Sequence, residues 1–314
     1  MRGKPLVSIC VPTYNSSAYL RQSLDSIVAQ TYKNVEVIIG DNASTDDTVV
    51  IANEYAVRWG FRIYVNERNV GPLNNWNCLL ERAQGDYVAI YHSDDVYEPT
   101  IVEESVKVFS GNDKIAVVGT MANVIDLKGA FLHGYDLPDS IKKLNKSVYC
   151  FDEVMLGAVM SGGNRILLLT SSLMVKRTVY GKVGKFGDAY RSAGDYEMWF
   201  RIAAKYDVAV IDRKLLNYRV HENQGSELEL RKNIEIPDVV EIFRKYRVNI
   251  VSKKVRKLCC KFIDKRILMA ALKQNWQQQF VRSSETVKMT ETNSHVLIKF
   301  LLFVANMVHL KLKK

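Results

Sequence analysis

The apolar positions of the first hundred residues switch between two periods in regular order. "LVSICV" (6–11) is a β-branched run closed by a polar turn, and "AYLRQSLDSIVAQ" (18–30) then sets Leu20, Leu24, Ile27 and Val28 on one helical face. "VEVIIG" (35–40) reads as a second buried strand, and "DDTVVIANEYAVRWG" (46–60) as a helix opened by acids, with Asp46 or Asp47 as its N-cap. "FRIYV" (61–65) follows as a strand, "PLNNWNCLLERAQ" (72–84) as a helix with proline near its start, and "YVAIY" (87–91) as a further strand. Strand and helix alternating at this spacing predict an α/β fold, a Rossmann-like, mostly parallel sheet flanked by helices on both faces.

In such a sheet ligands bind beyond the carboxyl ends of the strands. Three of those ends are polar or acidic here: "PTYNSS" after the first strand, "DNASTDD" after the second and "HSDD" after the fourth. All three should meet at one edge. The adjacent acids Asp94 and Asp95 matter most there, because like charges side by side repel unless something positive lies between them. Taken alone, the two acids also suit capping of the next turn.

Past Asn112 the pattern loosens. "IAVVG" (115–119) and "RILLLTSSLMV" (165–175) are strand-like, "GDYEMWFRIAAKY" (194–206) is helical with Met198, Ile202 and Ala203 near one face, and "VAVI" (208–211) and "LLNYRV" (215–220) read as short strands. From about Ser226 the chain turns helical and basic. Residues 1–225 therefore read as a catalytic domain, with 1–111 its nucleotide half and 112–225 its acceptor half, and 226–314 as a basic helical C-terminal extension.

Composition narrows the class. With 47% hydrophobic and 25% charged residues, the chain suits a soluble globular protein, and a net charge of +10 calls for an anionic partner. Five cysteines without metal-ligand or disulfide spacing point to reduced thiols in the cytoplasm, with Cys10 and Cys78 in the core. The N-terminal apolar run stops at Pro12 with no small-residue cleavage site after it, which argues against a signal peptide.

Six segments carry a resemblance. "VSICVPTYN", "DNASTDDT", "NVGPLNNWN", "GDYVAIYHSDD", "GDYEMWFRIA" and "YRVHENQGS" occur in the order in which they occur in family 2 glycosyltransferases, and the chain is similar to that family over roughly its first two thirds. The resemblance implies a GT-A fold and an inverting, metal-dependent transfer of a sugar from a nucleotide sugar, with UDP the favoured carrier. A glycan or a lipid-linked intermediate would be the acceptor. The family holds a divalent cation, Mn²⁺ or Mg²⁺, on a D-x-D motif that bridges the diphosphate, and hard oxygen ligands suit either ion. Asp94 matches the second acid of that motif. His92 replaces the first, and its imidazole can still donate to a ribose hydroxyl; Ser93 lies between them, and Asp95 shares the metal or orients its water.

By the same resemblance Asp41 reads the pyrimidine ring, and Pro12, Thr13 and Tyr14 receive the base, although Tyr14 equally suits a core position. Arg68 and Asn69 match a loop near the nucleotide, with a solvated surface charge the competing reading of Arg68. Asp195 matches the family's general base, the aspartate of a Glu-Asp pair whose glutamate is Gly194 here. Glu197 is read as solvent-facing or paired with Arg201. Trp199 lines the acceptor pocket or the core. His221 reaches the metal or the diphosphate, Arg219 contacts phosphate, and "ENQGS" (222–226) suits a lid.

The tail has the composition for two kinds of surface. "KYRVNIVSKKVRKLCCKFIDKRILMAALKQ" (245–274) and "HVLIKFLLFVANMVHLKLKK" (295–314) mix cationic and apolar residues, and the latter is too short and interrupted for a transmembrane helix of about 20 apolar residues. An interfacial helix on the anionic inner face of the cytoplasmic membrane fits residues 250–314, as does a helix that docks on the catalytic domain or forms a homodimer. A dinucleotide-dependent oxidoreductase lacks its G-x-G-x-x-G after the first strand. A nucleic-acid binder would leave acids at the strand ends unexplained, so no nucleic-acid partner is expected. A nucleotide-sugar-binding scaffold that has lost turnover is the alternative that His92 and Gly194 keep open.

Overall fold

The computed structural model describes residues 3–163, 167, 169–187, 189–190, 193–221, 238–276, 280–290, 292 and 299. The strands are β1 (Val7–Thr13), β2 (Val35–Asp41), β3 (Arg62–Val65), β4 (Tyr87–Ile90), β5 (Val96–Tyr97), β6 (Ile115–Ile125), β7 (Phe131–Tyr135), β8 (Val148–Tyr149), β9 (Met174–Lys176) and β10 (Asp207–Arg219). Between them come the helices α1 (Ser17–Val28), α2 (Thr48–Trp59), α3 (Pro72–Arg82), α4 (Ile101–Gly111), α5 (Asp139–Lys142), α6 (Phe151–Met160), α7 (Arg177–Val183) and α8 (Gly194–Ala203). Three more follow β10: α9 (Asp238–Tyr246), α10 (Lys253–Trp276) and α11 (Phe280–Lys288).

The sheet runs β3-β2-β1-β4-β9-β6-β10-β5, with β7 added to β6 and β8 to β10. β1 pairs in parallel with β2 on one side and β4 on the other, and β2 pairs in parallel with β3. β9 is antiparallel to both β4 and β6, so β6 and its parallel partner β10 point the same way as β4. The carboxyl ends of β1, β2, β4, β6 and β10 therefore share one edge.

Side-chain alternation splits the core into two layers. Val7, Ile9 and Val11 face Leu20, Leu24 and Ile27 of α1, and Ile51 and Ala52 of α2 complete that layer with Phe109 of α4. Cys10 and Ile38 face the opposite side, among Trp76 and Leu79 of α3 and the side chains of α6 and α8. The cysteines of the described chain are all free.

Three elements depart from the pattern-based reading, each for a local reason. "VAVI" and "LLNYRV" belong to one strand, because β10 bulges between Ile211 and Lys214 and keeps its pairing with β6 across the irregularity. Within "RILLLTSSLMV" the chain turns through a short 3₁₀ segment, Thr170–Ser172, before β9 begins. Ser172 holds that turn by donating its hydroxyl to the Leu169 carbonyl at 2.8 Å.

The third departure is α8, which is buried almost all round rather than on one face. Its outer side is covered by the helices that follow β10. Phe200 packs against Phe243 (ring centroids 5.4 Å) and Tyr246 (5.8 Å), and Phe243 in turn meets Phe262 of α10 at 4.6 Å. Val240, Ile242, Cys259, Ile263 and Ile267 thus join the same core as Trp199 and Phe200. Glu197 lies beneath this cover instead of facing solvent. It pairs with Arg201 at 2.7 Å, as its i,i+4 spacing suggests, and also accepts from Lys245 at 2.8 Å and the Tyr246 hydroxyl at 2.6 Å. Burial alone would raise its pKa, but these hydrogen bonds and the Arg201 charge hold the carboxyl below the ordinary 4.5.

The proposed lid, residues 222–226, and nearly all of 291–314 lie outside the described residues. Among the described residues, no helix is long and apolar enough to cross a membrane.

The Glu197 network carries a pH signature. Because its folded pKa is depressed, its stabilisation is complete above about pH 4.5 and is lost as pH falls through the lower folded value. Glu197→Gln is expected to cost about 2–3 kcal/mol at neutral pH in denaturant titrations. The gap from wild type should close in acid; a gap that stays constant from pH 7 to pH 3 contradicts the assignment.

Candidate active site

Backbone geometry at the first two strand ends is held by one buried carboxylate. Asp41 has no exposed surface, and its oxygens accept from the Thr13 hydroxyl (2.9 Å), the Ser44 amide (2.8 Å) and the Ser44 hydroxyl. The Asn15 amide donates to Ser44 Oγ at 2.8 Å, and Asn15 Oδ1 accepts from the Thr45 amide at 2.9 Å, so the two loops are laced together. Asn15 and Ala43 take left-handed backbone conformations, φ 48° and 63°. Asn tolerates this region, whereas Ala carries a strain of about 1–2 kcal/mol that the loop contacts must hold. Asp46 accepts from the first amides of both α1 (Ser17) and α2 (Thr48). These bonds overcome the effect of its burial and bring its pKa down to about 2.

A run of asparagines fixes the third loop. Asn42 donates to Asn69 Oδ1 (2.8 Å) and accepts from the Val70 amide (2.9 Å) and from Asn66 (3.2 Å), while Asn66 also donates to Asn75 (3.1 Å), which donates to the Gly40 carbonyl (2.7 Å). Around these loops Pro12 is half-buried in β1 opposite Gly40. Tyr14 is 49% exposed, which removes the core reading of that ring. Arg68 is exposed and makes no hydrogen bond or ion pair among the described residues.

The fourth strand end supplies the acids. Ser93 is buried and donates to Ser16 Oγ at 2.8 Å. Asp95 has no exposed surface; its Oδ1 accepts the Arg219 amide at 2.9 Å, and its Oδ2, with the Ser171 hydroxyl beside it, meets no partner at full hydrogen-bond distance among the described residues. Asp94 Oδ2 lies 3.0 Å from His221 Nε2, and the His221 ring packs against Tyr19 at 5.2 Å. Burial raises Asp95 well above the usual carboxylate range, with the Asp94 charge adding to it. At Asp94 the hydrogen bond to His221 and the neighbouring imidazole overcome burial and lower the pKa. Burial depresses His92 despite the charges of Asp94 and Asp195 nearby.

His92, Asp94 and Asp95 place one donor atom each within 4.8 Å of one another. The buried His92 Nε2, like Asp95 Oδ2, has no partner at full hydrogen-bond distance among the described residues. These two buried atoms, with the Asp94 carboxylate as the third member of the cluster, make a nitrogen and oxygen donor set that suits a divalent cation. His92, which stands where the motif has its first acid, thus keeps that position within the ligand cluster.

Arg219 lies underneath, 1% exposed. Its guanidinium donates to the carbonyls of Asp94 (2.9 Å), Asp126 (2.9 Å) and Leu127 (3.1 Å) and to Gln22 Oε1, and it stacks on Tyr19 at 5.0 Å. The expected phosphate contact gives way to a structural fork, because four hydrogen bonds hold the buried guanidinium against three loop carbonyls and Gln22 of α1.

Asp195 opens α8 on the opposite side. Its Oδ1 accepts the Tyr196 amide at 2.7 Å and its Oδ2 the Thr170 hydroxyl at 2.7 Å. Where the family pattern has glutamate, Gly194 sits against Leu73: a Cβ there would lie 2.3 Å from Leu73 Cδ1 and 3.0 Å from the Gly187 carbonyl oxygen. Trp199 is 4% exposed, so its ring belongs to the core rather than to an acceptor wall, and its indole donates to Thr170 Oγ at 3.0 Å. Phe186 meets Trp199 at 5.7 Å and Trp76 at 5.2 Å, and Trp76 meets His92 at 5.5 Å. Asn77 fixes Phe186 by pairing with both its amide and its carbonyl at 2.9 Å. An aromatic row therefore spans the floor between the metal-type cluster and Asp195. Thr170 escaped the motif reading, which ran a strand through it, and of the asparagine run that reading singled out Asn69 alone. A separate cavity of about 460 Å³ at the β10 bulge, lined by Glu98, Met121, Asp136 and Lys214 among others, shares none of these residues.

The geometry has counterparts. The profile described as "Glycosyl transferase family 2" matches residues 8–168. An uncharacterised glycosyltransferase of Methanocaldococcus jannaschii is 31% identical over 235 residues, 73% of this chain and 76% of the relative. An uncharacterised glycosyltransferase of Rickettsia felis is 30% identical over 225 residues, 71% of this chain and 35% of that protein, so the match spans about a third of that relative. Among solved structures, residues 1–349 of S. aureus TarS with UDP-GlcNAc superpose with a TM-score of 0.67 at 17% identity, covering 96% of this chain and 87% of that one. The mannosyltransferase PcManGT of Pyrobaculum calidifontis, with GDP-Man and Mn²⁺, gives a TM-score of 0.62 at 16% identity and covers 100% and 89%. The fold is that of the GT-A glycosyltransferases, and with the profile match over half its length this chain belongs to glycosyl transferase family 2.

Proposed function

We propose that the protein transfers a sugar from a nucleotide-sugar donor, a UDP-sugar, to a hydroxyl of a glycan or lipid-linked acceptor, inverting the anomeric carbon by a single displacement. The observation that carries this reading is the placement of the Asp195 carboxylate, joined through Thr170 and Trp199 to the aromatic row that ends at the His92–Asp94–Asp95 cluster. One end supplies a proton acceptor and the other a seat for diphosphate and cation.

The chain's own groups divide the work as follows. Asp195 accepts the proton of the acceptor hydroxyl as that oxygen attacks the anomeric carbon from the face opposite the diphosphate. A carboxylate is a weak base, so it acts as the bond forms and the hydroxyl becomes acidic. Asp94, with Asp95, His92 and His221 around it, holds a divalent cation, Mn²⁺ or Mg²⁺. When bound, that cation supplies the charge that stabilises the departing diphosphate. The base enters between Thr13, Tyr14 and Asn69, with Arg68 on the open side. Asp41 serves through the loop that it holds, and Arg219 by fixing the Asp94 carbonyl and the hairpin at Asp126.

The C-terminal helices support a place on an anionic membrane at the cytoplasmic face. One side of α10, with Cys259, Phe262, Ile263 and Ile267, is packed into the catalytic core. On the other, Lys253, Lys254, Lys257, Lys261 and Lys265 are exposed and make no ion pair among the described residues. Val248 and Val251, 71% and 85% exposed, stand just ahead of them. Such a face suits anionic head groups with apolar side chains at its margin.

Three measurements test this reading. Binding and hydrolysis of a panel of nucleotide sugars, with and without Mn²⁺, should single out one donor for wild type, and Asp94→Ala should lose at least tenfold in metal-dependent binding. Binding without any turnover points instead to a scaffold that only holds the donor. Arg219→Lys should lower stability by about 2–4 kcal/mol and weaken donor binding with it, since an ammonium cannot serve four carbonyl-type acceptors in one plane. Reversing Lys254, Lys257, Lys261 and Lys265 to Glu should cut co-sedimentation with phosphatidylglycerol vesicles more than tenfold, each charge being worth about 1 kcal/mol near the surface. Equal sedimentation of both forms removes the membrane assignment.

A further inference from the structure

We infer that Thr170 and Trp199 form a donor relay that fixes the carboxylate plane of Asp195, making both of them positioning residues for the transfer. The inference rests on the assignment of Asp195 as the base and deepens it.

Three facts of hydrogen-bond chemistry set the direction of the relay. An indole N–H can only donate, so at 3.0 Å from Trp199 Nε1 the Thr170 oxygen is an acceptor. The hydroxyl has one proton, and with the indole on a lone pair that proton turns to Asp195 Oδ2 at 2.7 Å. A carboxylate in turn only accepts, so the polarity of the whole chain, Trp199 to Thr170 to Asp195, has a single sense. The second carboxylate oxygen accepts the Tyr196 amide of its own helix at 2.7 Å. With one donor on each oxygen, rotation about the Cβ–Cγ bond is blocked, and each oxygen keeps a lone pair for an incoming hydroxyl.

The two anchors belong to rigid and separate parts of the fold. Thr170 begins the 3₁₀ turn that leads into β9, and β9 pairs with β4 through Met174 and Ala89 and with β6 through Met174 and Val118. Trp199 is one turn along α8 from Asp195, held edge-on against Phe186. The relay therefore ties the start of α8 to the centre of the sheet, where β4 also delivers His92 and Asp94. It sets the distance between the proton acceptor and the cluster at the other end of the floor. Misplacement of a reacting group by about 1 Å costs on the order of a hundredfold in rate, so a side chain that does no chemistry can still control turnover.

Thr170 is half-buried, and Val has its shape without the hydroxyl; Phe in place of Trp199 keeps an aromatic ring against Phe186 without the N–H. The test uses the full chain with UDP-GlcNAc or GDP-mannose, whichever is turned over, and follows sugar hydrolysis with water as the acceptor. Thr170→Val should lower kcat about tenfold or more with donor KM and donor affinity unchanged, Thr170→Ser should stay within about twofold of wild type, and Trp199→Phe should fall several-fold in kcat alone. Circular dichroism melts and donor binding of each variant separate misfolding from misplacement: a variant that still binds donor like wild type is folded at the site. If Thr170→Val binds donor normally and turns over at the wild-type rate, or if Thr170→Ser is as impaired as Thr170→Val, the relay is wrong. If Asp195→Asn is as active as wild type, or no donor is turned over, the transferase reading itself falls and takes the relay with it.

Discussion

Two neighbouring carboxylates, one without any exposed surface, are the constraint around which the rest of this structure is arranged. In water Asp94 and Asp95 would repel each other mildly; in the interior the second charge cannot be borne without fixed donors, which is why Asp95 is pushed so far above its ordinary pKa. The protein answers with the last residues of β10. The Arg219 amide donates to Asp95 and the imidazole two residues on meets Asp94, while the guanidinium is directed beneath them at backbone carbonyls. Among the described residues His92 Nε2 and Asp95 Oδ2 are left without a partner at full hydrogen-bond distance, with the Ser171 hydroxyl beside Asp95. A cation-shaped deficit of this kind has the chemistry of a binding site rather than of a strained core.

Meeting that constraint dictates topology. For β10 to end beside β4, the sheet must bring β9 and β6 between them in register, and the hairpin after β6 must come close enough for its carbonyls to meet Arg219. Strand direction then places α8, with Asp195 at its start, over the same edge. The helices after β10 complete the arrangement: by covering Phe200 and Glu197 they turn α8 from a surface helix into a core one. Asp195 is thereby mounted on an element that cannot shift without disturbing the packing of the C-terminal helices.

Loop chemistry at the other end follows the same economy of fixed donors. Asp41, Asn42 and Asp46 are short side chains at the end of β2 and in the loop after it, and each binds backbone or side-chain groups of a neighbouring segment. Ala43 in a left-handed conformation shows that these contacts, and not the residue's own preference, define the backbone there. A site built this way holds its shape before any ligand arrives, which lowers the ordering cost of binding.

Local sequence determined the elements of the first hundred residues, because each has a clean period and a turn or cap at its ends. It also determined which strand ends carry acids, and the ordered motifs determined the family. Only the tertiary structure decided what these side chains touch: that Arg219 is a buried fork beneath the Asp94 carbonyl, that His221 meets Asp94, and that Trp199 addresses Thr170. Those relations join residues far apart in the chain, such as Arg219 with the Asp94 carbonyl, 125 positions away, and with Gln22, 197 away, and no periodicity records them. The burial of α8 was illegible for the same reason, since a helix acquires its second buried face only from the chain that later packs upon it.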